Sequence, residues 1–226
     1  MKTKMEEKMG TSMNTNGTTR VFNLIILDES GSMSAIYRPA LSGVNETLQT
    51  IRSSQEENPG QQHFVSLVTF DTEHYNRVYN CTPASIAKEL TNDQYRPFGG
   101  TPLYDAMGNA IMELEKQVNK EDVVLVTIIT DGYENASSHF NGASIKELVE
   151  RKKADDWVFT YIGANQDVMA VSAMISIDNY MAFQADEEGT HAMFAKEQMA
   201  RKKFNSRLNE PCCNREELKR GYFNEE

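Results

Sequence analysis

Short apolar runs alternate with amphipathic segments along the middle of the chain. Residues 21–27 and 123–130 are nearly continuous apolar runs, which are typical of strands buried on both faces of a sheet. Residues 63–70 form a third run, and the more polar segment 74–80 follows it after a short break. That order predicts a hairpin whose second strand lies at the edge of the sheet. Two later strands are predicted at 157–163 and near 178–183.

Helices are predicted between these strands, because apolar residues recur there at spacings of three and four. The first helix covers residues 39–57, has Leu41, Val44, Leu48 and Ile51 on one face, and is ended by Asn58-Pro59-Gly60. A second helix has Pro102 at its first position and an apolar face from Leu103 to Val118. Two shorter helices are predicted near 143–153 and 167–174.

This alternation predicts an α/β fold, in which helices cover both faces of a mostly parallel sheet through right-handed crossovers. The predicted domain covers residues 21–183. Residues 1–20 are polar and without period, which predicts a flexible leader. Residues 184–226 are predicted to be a charged helical extension with Met193, Ala200, Phe204 and Leu208 along one face; such stripes usually dock on their own domain and less often bind partner helices.

Composition and charge narrow the function. The chain of 226 residues is 39% hydrophobic and 25% charged, as in a soluble globular protein, and no window approaches 18 uncharged apolar residues, so no membrane span is predicted. Its formal net charge is −10, and residues 21–183 hold 22 acidic side chains against 11 basic ones. Because nucleic-acid affinity depends on Lys and Arg neutralising phosphates, this charge excludes a nucleic-acid partner.

The cysteines and the first residues of the chain predict a cytoplasmic location. The three cysteines, Cys81, Cys212 and Cys213, form no paired framework and are predicted to be reduced thiols. The vicinal pair is interpreted as two ordinary thiols more readily than as a redox site. The N-terminal residues lack the apolar region of a secretory signal. The four histidines are scattered, so a zinc site is not predicted.

Oxygen-bearing side chains follow the predicted strands. Asp28-Glu29-Ser30-Gly31-Ser32 follows the first strand, Asp131-Gly132 follows the strand at 123–130, and Gly99-Gly100-Thr101 precedes the second helix. In open α/β sheets, ligands bind beyond the carboxyl ends of the strands, where the strand order reverses. Two carboxylates and three hydroxyls at that edge suit Mg²⁺ or Mn²⁺, which prefer oxygen ligands. The predicted metal ligands are Asp28, Ser30, Ser32, Thr101 and Asp131.

These residues resemble the metal-ion-dependent adhesion site of von Willebrand factor type A domains, on the segments D-E-S-G-S, G-G-T-P-L and I-T-D-G. The resemblance covers residues 21–183. It implies a Rossmann-like three-layer sandwich with 74–80 as the antiparallel edge strand. It also implies that Ser30, Ser32 and Thr101 bind the metal directly, while Asp28 and Asp131 bind directly or through water. G-A-N-Q-D at 163–167 is similar to stand-alone prokaryotic and phage-type members.

The function predicted from these residues is a non-enzymatic module that binds a partner protein through Mg²⁺ or Mn²⁺. The three hydroxyls carry no charge, so an open coordination position would attract an Asp or Glu carboxylate of the partner. An alternative is a metal-dependent hydrolase or phosphotransferase that uses Asp28 as nucleophile, although no second aspartate lies two positions on and no general base is evident. A further alternative is a subunit that presents substrates to an ATPase or a kinase.

A simpler interpretation of each segment also exists. Asp and Ser after a strand often cap a helix or close a turn, because their side chains bond to nearby backbone N–H groups. Residues 165–167, Asn-Gln-Asp, could form the rim of the metal site or a plain turn and helix cap. The occurrence of all three segments in order favours the metal site.

Overall fold

A single six-stranded sheet forms the centre of the molecule. The structure, a computed structural model, describes residues 17–210, 218–219 and 221–224. The strands in chain order are β1 (Thr19–Asp28), β2 (Gln61–Phe70), β3 (Tyr75–Pro83), β4 (Val123–Thr130), β5 (Val158–Gly163) and β6 (Asn179–Ala182). Their order across the sheet is β3-β2-β1-β4-β5-β6, and only the β2–β3 pair is antiparallel. The predicted α/β class and the antiparallel edge strand are therefore confirmed.

Within the described residues, five α-helices cover the sheet in two layers. They are α1 (Tyr37–Glu57), α2 (Leu103–Glu115), α3 (Gly142–Ala154), α4 (Val168–Met174) and α5 (Glu187–Arg207). One face of the sheet packs against α2, α3 and α4 through a core that includes Leu24 and Val126. The other face packs against α1 and α5 through a core that includes Ile25 and Leu67. Side chains of one strand alternate between the two faces, which explains why β1 and β4 are nearly continuous apolar runs.

Some element boundaries differ from the predictions. Pro102 precedes the first residue of α2 rather than occupying it. The helix ends at Glu115, before Val118, and the chain turns at Asn119, whose N–H donates to Asp122 Oδ2 at 2.7 Å. A 3₁₀ helix at Gly31–Ile36 precedes α1 and was not predicted. Such short elements lack a periodic apolar signal, so sequence pattern does not reveal them.

Helix α5 packs on its own domain, beside α1. Met193 and Phe194 join the core that α1 forms with the sheet, and Ala200 and Phe204 join a third apolar cluster with Val21 and Val123. Of the residues described, none lies in a helix with the length and apolar character to cross a membrane. Cys81 is a free thiol, whereas Cys212 and Cys213 lie outside the described residues.

Helices α1 and α5 approach closely at Gly43, and we expect Gly43→Ala to destabilise the domain. A Cβ at Gly43 would overlap the ring of Phe194, which is buried. In a helix interior, alanine is more favourable than glycine by about 1 kcal/mol. The clash should outweigh this gain and leave a net loss of about 1–3 kcal/mol. Urea denaturation measures the loss, with Gly60→Ala as control because no atom lies within 4 Å of a Cβ there. Equal losses in the two variants would contradict the close packing.

Candidate metal site

The five predicted metal ligands lie at the carboxyl edge of the sheet, where the strand order reverses between β1 and β4. Asp28 is the last residue of β1, and Asp131 directly follows β4, its parallel neighbour. Ser30 and Ser32 lie in the turn and 3₁₀ helix after β1, and Thr101 lies in the loop before α2. The connection that leaves β1 runs through α1 on one face of the sheet, and the connection that enters β4 runs through α2 on the other face, which opens a crevice at this edge.

Asp28 is fully buried and is held by short hydrogen bonds. Its Oδ1 accepts the Ser30 N–H at 2.7 Å, and its Oδ2 accepts the Thr130 hydroxyl at 2.6 Å. Burial raises the pKa of this carboxyl from 3.8 to about 6, the Thr130 and Ser30 bonds oppose the rise, and the negative charge of Asp131 adds to it. The shift in the pKa of Asp28 therefore reflects burial more than repulsion by Asp131.

A chain of hydroxyls joins Ser30 and Ser32 to the second carboxylate. The two serine oxygens are 3.1 Å apart, and the Ser32 hydroxyl donates to Asp131 Oδ1 at 2.5 Å. A Cβ at Gly132 would lie 3.4 Å from Ser32 Oγ and 3.7 Å from Thr101 Oγ1. The hydroxyls of Ser32 and Thr101 therefore border the same small space. The structure thus brings all five predicted oxygen donors together.

The charges at this site fit a divalent cation. Asp28 and Asp131 are both buried, and desolvation raises the pKa of each. No lysine, arginine or histidine within the described segments pairs with either carboxylate. Two buried negative charges that face each other without a counter-ion are costly, and a bound divalent cation would neutralise both. Oxygen donors of this kind, with few carboxylates, are those that Mg²⁺ prefers.

The cluster differs from a His- or Cys-rich metal site. Among described residues, no group of three or more His, Cys, Asp or Glu side chains is placed to hold a metal ion. The donors here include only two carboxylates. His63, His74 and His139 bond instead to Asn23, Asp71 and Asp105, respectively. The chemistry of the site is therefore that of hard oxygen ligands.

The loop that carries Thr101 is fixed to the loop that follows β4. Asn135 Oδ1 accepts the Thr101 N–H at 2.8 Å, and the Asn135 N–H donates to the Thr101 carbonyl at 3.1 Å. Glu134 Oε2 accepts the Tyr104 N–H at 2.9 Å at the start of α2. From the other direction, Asp105 accepts the backbone N–H groups of Ser138, His139 and Phe140. Thr101 and Asp131 are thereby held in a fixed relation.

The residues before Thr101 are also fixed to the turn after β1. The Tyr95 hydroxyl donates to the Asp28 carbonyl at 2.8 Å, the Phe98 N–H to the Glu29 carbonyl at 2.8 Å, and the Gly31 N–H to the Gly99 carbonyl at 3.0 Å. Gly99 has a φ of 68°, which glycine adopts without strain. These contacts hold the Ser30 and Thr101 segments side by side.

Three acidic side chains beside the site, Glu29, Asp105 and Glu134, accept hydrogen bonds from backbone N–H groups. Glu29 is buried, and its carboxylate accepts the Arg96 N–H. Asp105 and Glu134 accept backbone N–H groups, as described above. The role of Asp105 can be recognised from its position in the sequence, because it lies in the first turn of α2, where a carboxylate stabilises backbone N–H groups.

Residues 165–167 lie at the same edge, where they support the site and form a cap. Gln166 Nε2 donates to the Gly132 carbonyl at 3.1 Å, and the Asp167 side chain caps α4 by accepting the Ala170 N–H at 3.0 Å. Asn165 has a φ of 56°. Both interpretations of this segment therefore have support, since a plain cap and a contact to the metal-site turn occur together.

Comparisons with known proteins identify the family of the chain and its fold. The family model of the von Willebrand factor type A domain matches residues 24–199. No curated protein matches the sequence. Among solved structures, the PilB minor pilin from Streptococcus sanguinis aligns with a TM-score of 0.61 and 13% identity, over 88% of this chain and 65% of that chain. The present chain thus spans just under two thirds of the pilin's length.

Two further structures share the fold. The vWF domain of the type V pili tip protein Mfa5 from Porphyromonas gingivalis aligns with a TM-score of 0.56 and 11% identity, over 80% of this chain and 95% of that chain. The manganese-loaded Plasmodium vivax TRAP protein aligns with a TM-score of 0.53 and 15% identity, over 78% of this chain and 72% of that chain. Sequence identities this low show that the folds are similar and show nothing about function.

Proposed function

The chain belongs to the von Willebrand factor type A family, and from this premise we propose that it is a metal-dependent protein-binding module. The observation that carries the proposal is the meeting of five oxygen donors at one sheet edge, with two buried carboxylates that have no counter-ion. The proposed ligands of Mg²⁺ or Mn²⁺ are Asp28, Ser30, Ser32, Thr101 and Asp131. Together they form an intact metal-ion-dependent adhesion site.

The chain's own residues would hold the ion and leave it electrophilic. The three hydroxyls are neutral, so at most two negative charges from the protein compensate the dication. When bound, the ion supplies a Lewis-acidic position for an anionic oxygen of another molecule. A carboxylate of a partner's Asp or Glu has the required charge and hardness. The metal-loaded TRAP structure supports divalent metal binding by this fold in another protein.

We propose binding without catalysis. Asp28, the nucleophile of the alternative hydrolase, accepts two hydrogen bonds and is fully buried, which leaves its oxygens poorly placed for attack. No observation favours the hydrolase or the substrate-presenting subunit over this proposal. The resemblance to stand-alone prokaryotic or phage-type members and the cytoplasmic location stay predictions from the sequence. Two of the structural neighbours are pilus proteins.

The proposal is tested first with the metal alone and then with a bound carboxylate. We expect wild-type protein to bind Mn²⁺ in an electron paramagnetic resonance titration, and Thr101→Ala to bind it at least about ten-fold more weakly, a loss of about 1.4 kcal/mol. Thr91→Ala is the matched control, because Thr91 is exposed and bonds only to Gln94. Peptides selected on the immobilised protein in Mg²⁺ should be released by EDTA and should share an essential Asp or Glu.

Two results would overturn the proposal. One is equal Mn²⁺ binding by wild type and Thr101→Ala, which would place the ion elsewhere. The other is retention of the selected peptides in EDTA after the metal has been removed, which would show that the contact does not pass through the ion.

A further inference from the structure

Two acceptors compete for the single hydroxyl proton of Thr130, the buried last residue of β4. Its Oγ1 lies 2.6 Å from Asp28 Oδ2 and 3.1 Å from the Gly132 carbonyl oxygen. The Gly132 N–H donates to the same hydroxyl at 3.2 Å. Because a threonine hydroxyl has one proton to donate, it can serve Asp28 fully only when another donor satisfies the Gly132 carbonyl.

Gln166 supplies that second donor. Its Nε2 lies 3.1 Å from the Gly132 carbonyl oxygen, and its Oε1 lies 3.2 Å from the Tyr161 hydroxyl. A carbonyl oxygen only accepts, so the amide nitrogen faces Gly132 and the amide oxygen is left to accept from Tyr161. Tyr161 is fully buried in β5, and a Cβ at Gly163 would lie 3.0 Å from the Gln166 nitrogen. The amide is therefore held in one orientation against the end of β5.

The Thr130 proton matters to the metal site because it fixes one of the two oxygens of Asp28. Oδ2 accepts the Thr130 hydroxyl, and Oδ1 accepts the Ser30 N–H at 2.7 Å. Together these two bonds set the plane of the carboxylate. Hydrogen bonds to the ligands of a metal ion orient those ligands and tune the affinity for the ion. If the Gly132 carbonyl took the proton instead, Asp28 Oδ2 would lose its donor and could turn.

We propose that Gln166 is a positioning residue of the metal site: it satisfies the Gly132 carbonyl, directs the Thr130 proton to Asp28, and so orients this carboxylate for the ion. The inference rests on the proposed function and adds to it a residue outside the five donors. The hydrogen bonds of the Gln166 side chain go to Gly132 and Tyr161. Its effect on the ion therefore passes through Thr130.

The test is a cycle of single and double variants in which Mn²⁺ affinity is measured by electron paramagnetic resonance titration. Gln166→Met removes the amide donor and keeps the length of the side chain. We expect it to weaken Mn²⁺ binding about five-fold, less than Thr101→Ala does, because Gln166 acts through a further residue. A Thr130→Val background has no hydroxyl proton to direct, so there the same substitution should change the affinity by less than about two-fold.

Two more variants separate this role from a merely structural one. Tyr161→Phe removes only the hydroxyl that holds the Gln166 amide and should weaken Mn²⁺ binding by about two-fold. Gln49→Met is the matched control, because Gln49 is exposed on α1 and its Nε2 likewise donates to a side chain, at 2.7 Å from Glu89 Oε1. It should bind Mn²⁺ as wild type does. Urea denaturation without metal accompanies each titration, since a structural role would lower stability and leave the affinity unchanged.

A second measurement needs no metal. The Ser30 N–H donates to Asp28 Oδ1, so the chemical shift of this amide proton reports the orientation of the carboxylate. In metal-free protein, the Ser30 resonance should move in Gln166→Met and stay in place in Gln49→Met. This readout does not depend on Thr130→Val, so it decides the inference even if that variant fails to fold.

The outcomes separate this inference from the proposed function. Suppose that wild type binds Mn²⁺ and that Gln166→Met binds it equally well, or loses the same factor with and without the Thr130 hydroxyl. Either result overturns the positioning role and leaves the metal site standing. An unmoved Ser30 resonance in Gln166→Met overturns the link to Asp28 in the same way. Failure of wild type to bind Mn²⁺ overturns the proposed function, and with it the role of Gln166 at the ion.

Discussion

Replacing Asp28 with Asn is expected to stabilise the metal-free domain at pH 7 and to abolish its stabilisation by Mg²⁺. The raised pKa of Asp28, about 6 against 3.8, means that the folded state disfavours the charged carboxylate by about 3 kcal/mol at pH 7. Asparagine removes that charge and keeps an acceptor for the Ser30 N–H. Part of the gain is lost because Thr130 must then accept rather than donate, so we expect a net gain of about 1–2 kcal/mol.

The same substitution should have the opposite effect on the stabilisation that Mg²⁺ provides, which it should reduce. A ligand that binds only the native state stabilises it by about 2.7 kcal/mol at one hundred times its dissociation constant. Wild type should gain about this much in Mg²⁺, and Asp28→Asn should gain little. Asp71→Asn is the matched control, since Asp71 also follows a strand and accepts an N–H two residues on. Asp71→Asn should be less stable than wild type, but Mg²⁺ should stabilise it as much as it stabilises wild type.

The pH dependence follows from the same group. Because the folded-state pKa of Asp28 is raised, its contribution to stability is present below pH 3.8 and is lost as the pH rises through about 6. The difference in unfolding free energy between Asp28→Asn and wild type, without metal, should therefore grow over that range and level off above it. Thermal and urea unfolding across pH 4 to 8 measure it. A difference that stays constant would show that the pKa of Asp28 is the same in the folded and unfolded states, and would contradict the raised value.

The second large effect is expected at Arg201, which lies fully buried beneath α5. Its guanidinium donates to Glu197 Oε1 at 2.9 and 2.6 Å, to Asn23 Oδ1 at 2.7 Å and to Thr127 Oγ1 at 2.9 Å. Asn23 belongs to β1 and Thr127 to β4, so one side chain joins the helix to both central strands. We expect Arg201→Met to cost about 3–5 kcal/mol, because it leaves the buried Glu197 carboxylate without its cation.

A second substitution distinguishes lost charge pairing from lost packing. In the double variant Glu197→Leu with Arg201→Met, no charge is left unpaired, and most of the lost stability should return. Lys202→Met on the exposed face of α5 is the control and should change stability by less than about 0.5 kcal/mol. Urea unfolding provides all four values. If the double variant is as unstable as Arg201→Met alone, the network contributes through shape rather than charge.

The sequence predicted the sheet, and placed five oxygen donors at one edge of it, because these signals are local; the role of the five residues as metal ligands stays a prediction. Buried strands such as β4 are uninterrupted apolar runs, and a parallel sheet brings the residues after its strands to one edge. Thr101 is far from Asp28 in the chain, yet the glycines before it and the helix after it marked its position. The domain boundaries were drawn from the same local signals and stay a prediction.

The sequence does not predict the buried network under α5, because charged side chains usually indicate an exposed surface. The C-terminal segment reads as a charged extension, and only its apolar stripe was recognised. Glu197 and Arg201 are four residues apart and lie on the same helix face as Met193. This spacing is typical of an ion pair on one face of a helix. What the sequence could not supply is their partners: Asn23 is 178 residues away along the chain, and such pairing depends on the finished fold.

The bracing of the two loops affects how an ion would enter and leave the proposed metal site. Fixing the backbone of one residue costs about 1–2 kcal/mol, so a loop that ordered only around the ion would consume much of the binding free energy. Here Asp105 and Glu134 already fix the loops through bonds that do not involve the five donors. Metal release then leaves the backbone in place. At the proposed site, loading and unloading would then proceed at the pace of ion hydration, and the proposed attachment to a partner would be reversible without any refolding of the chain.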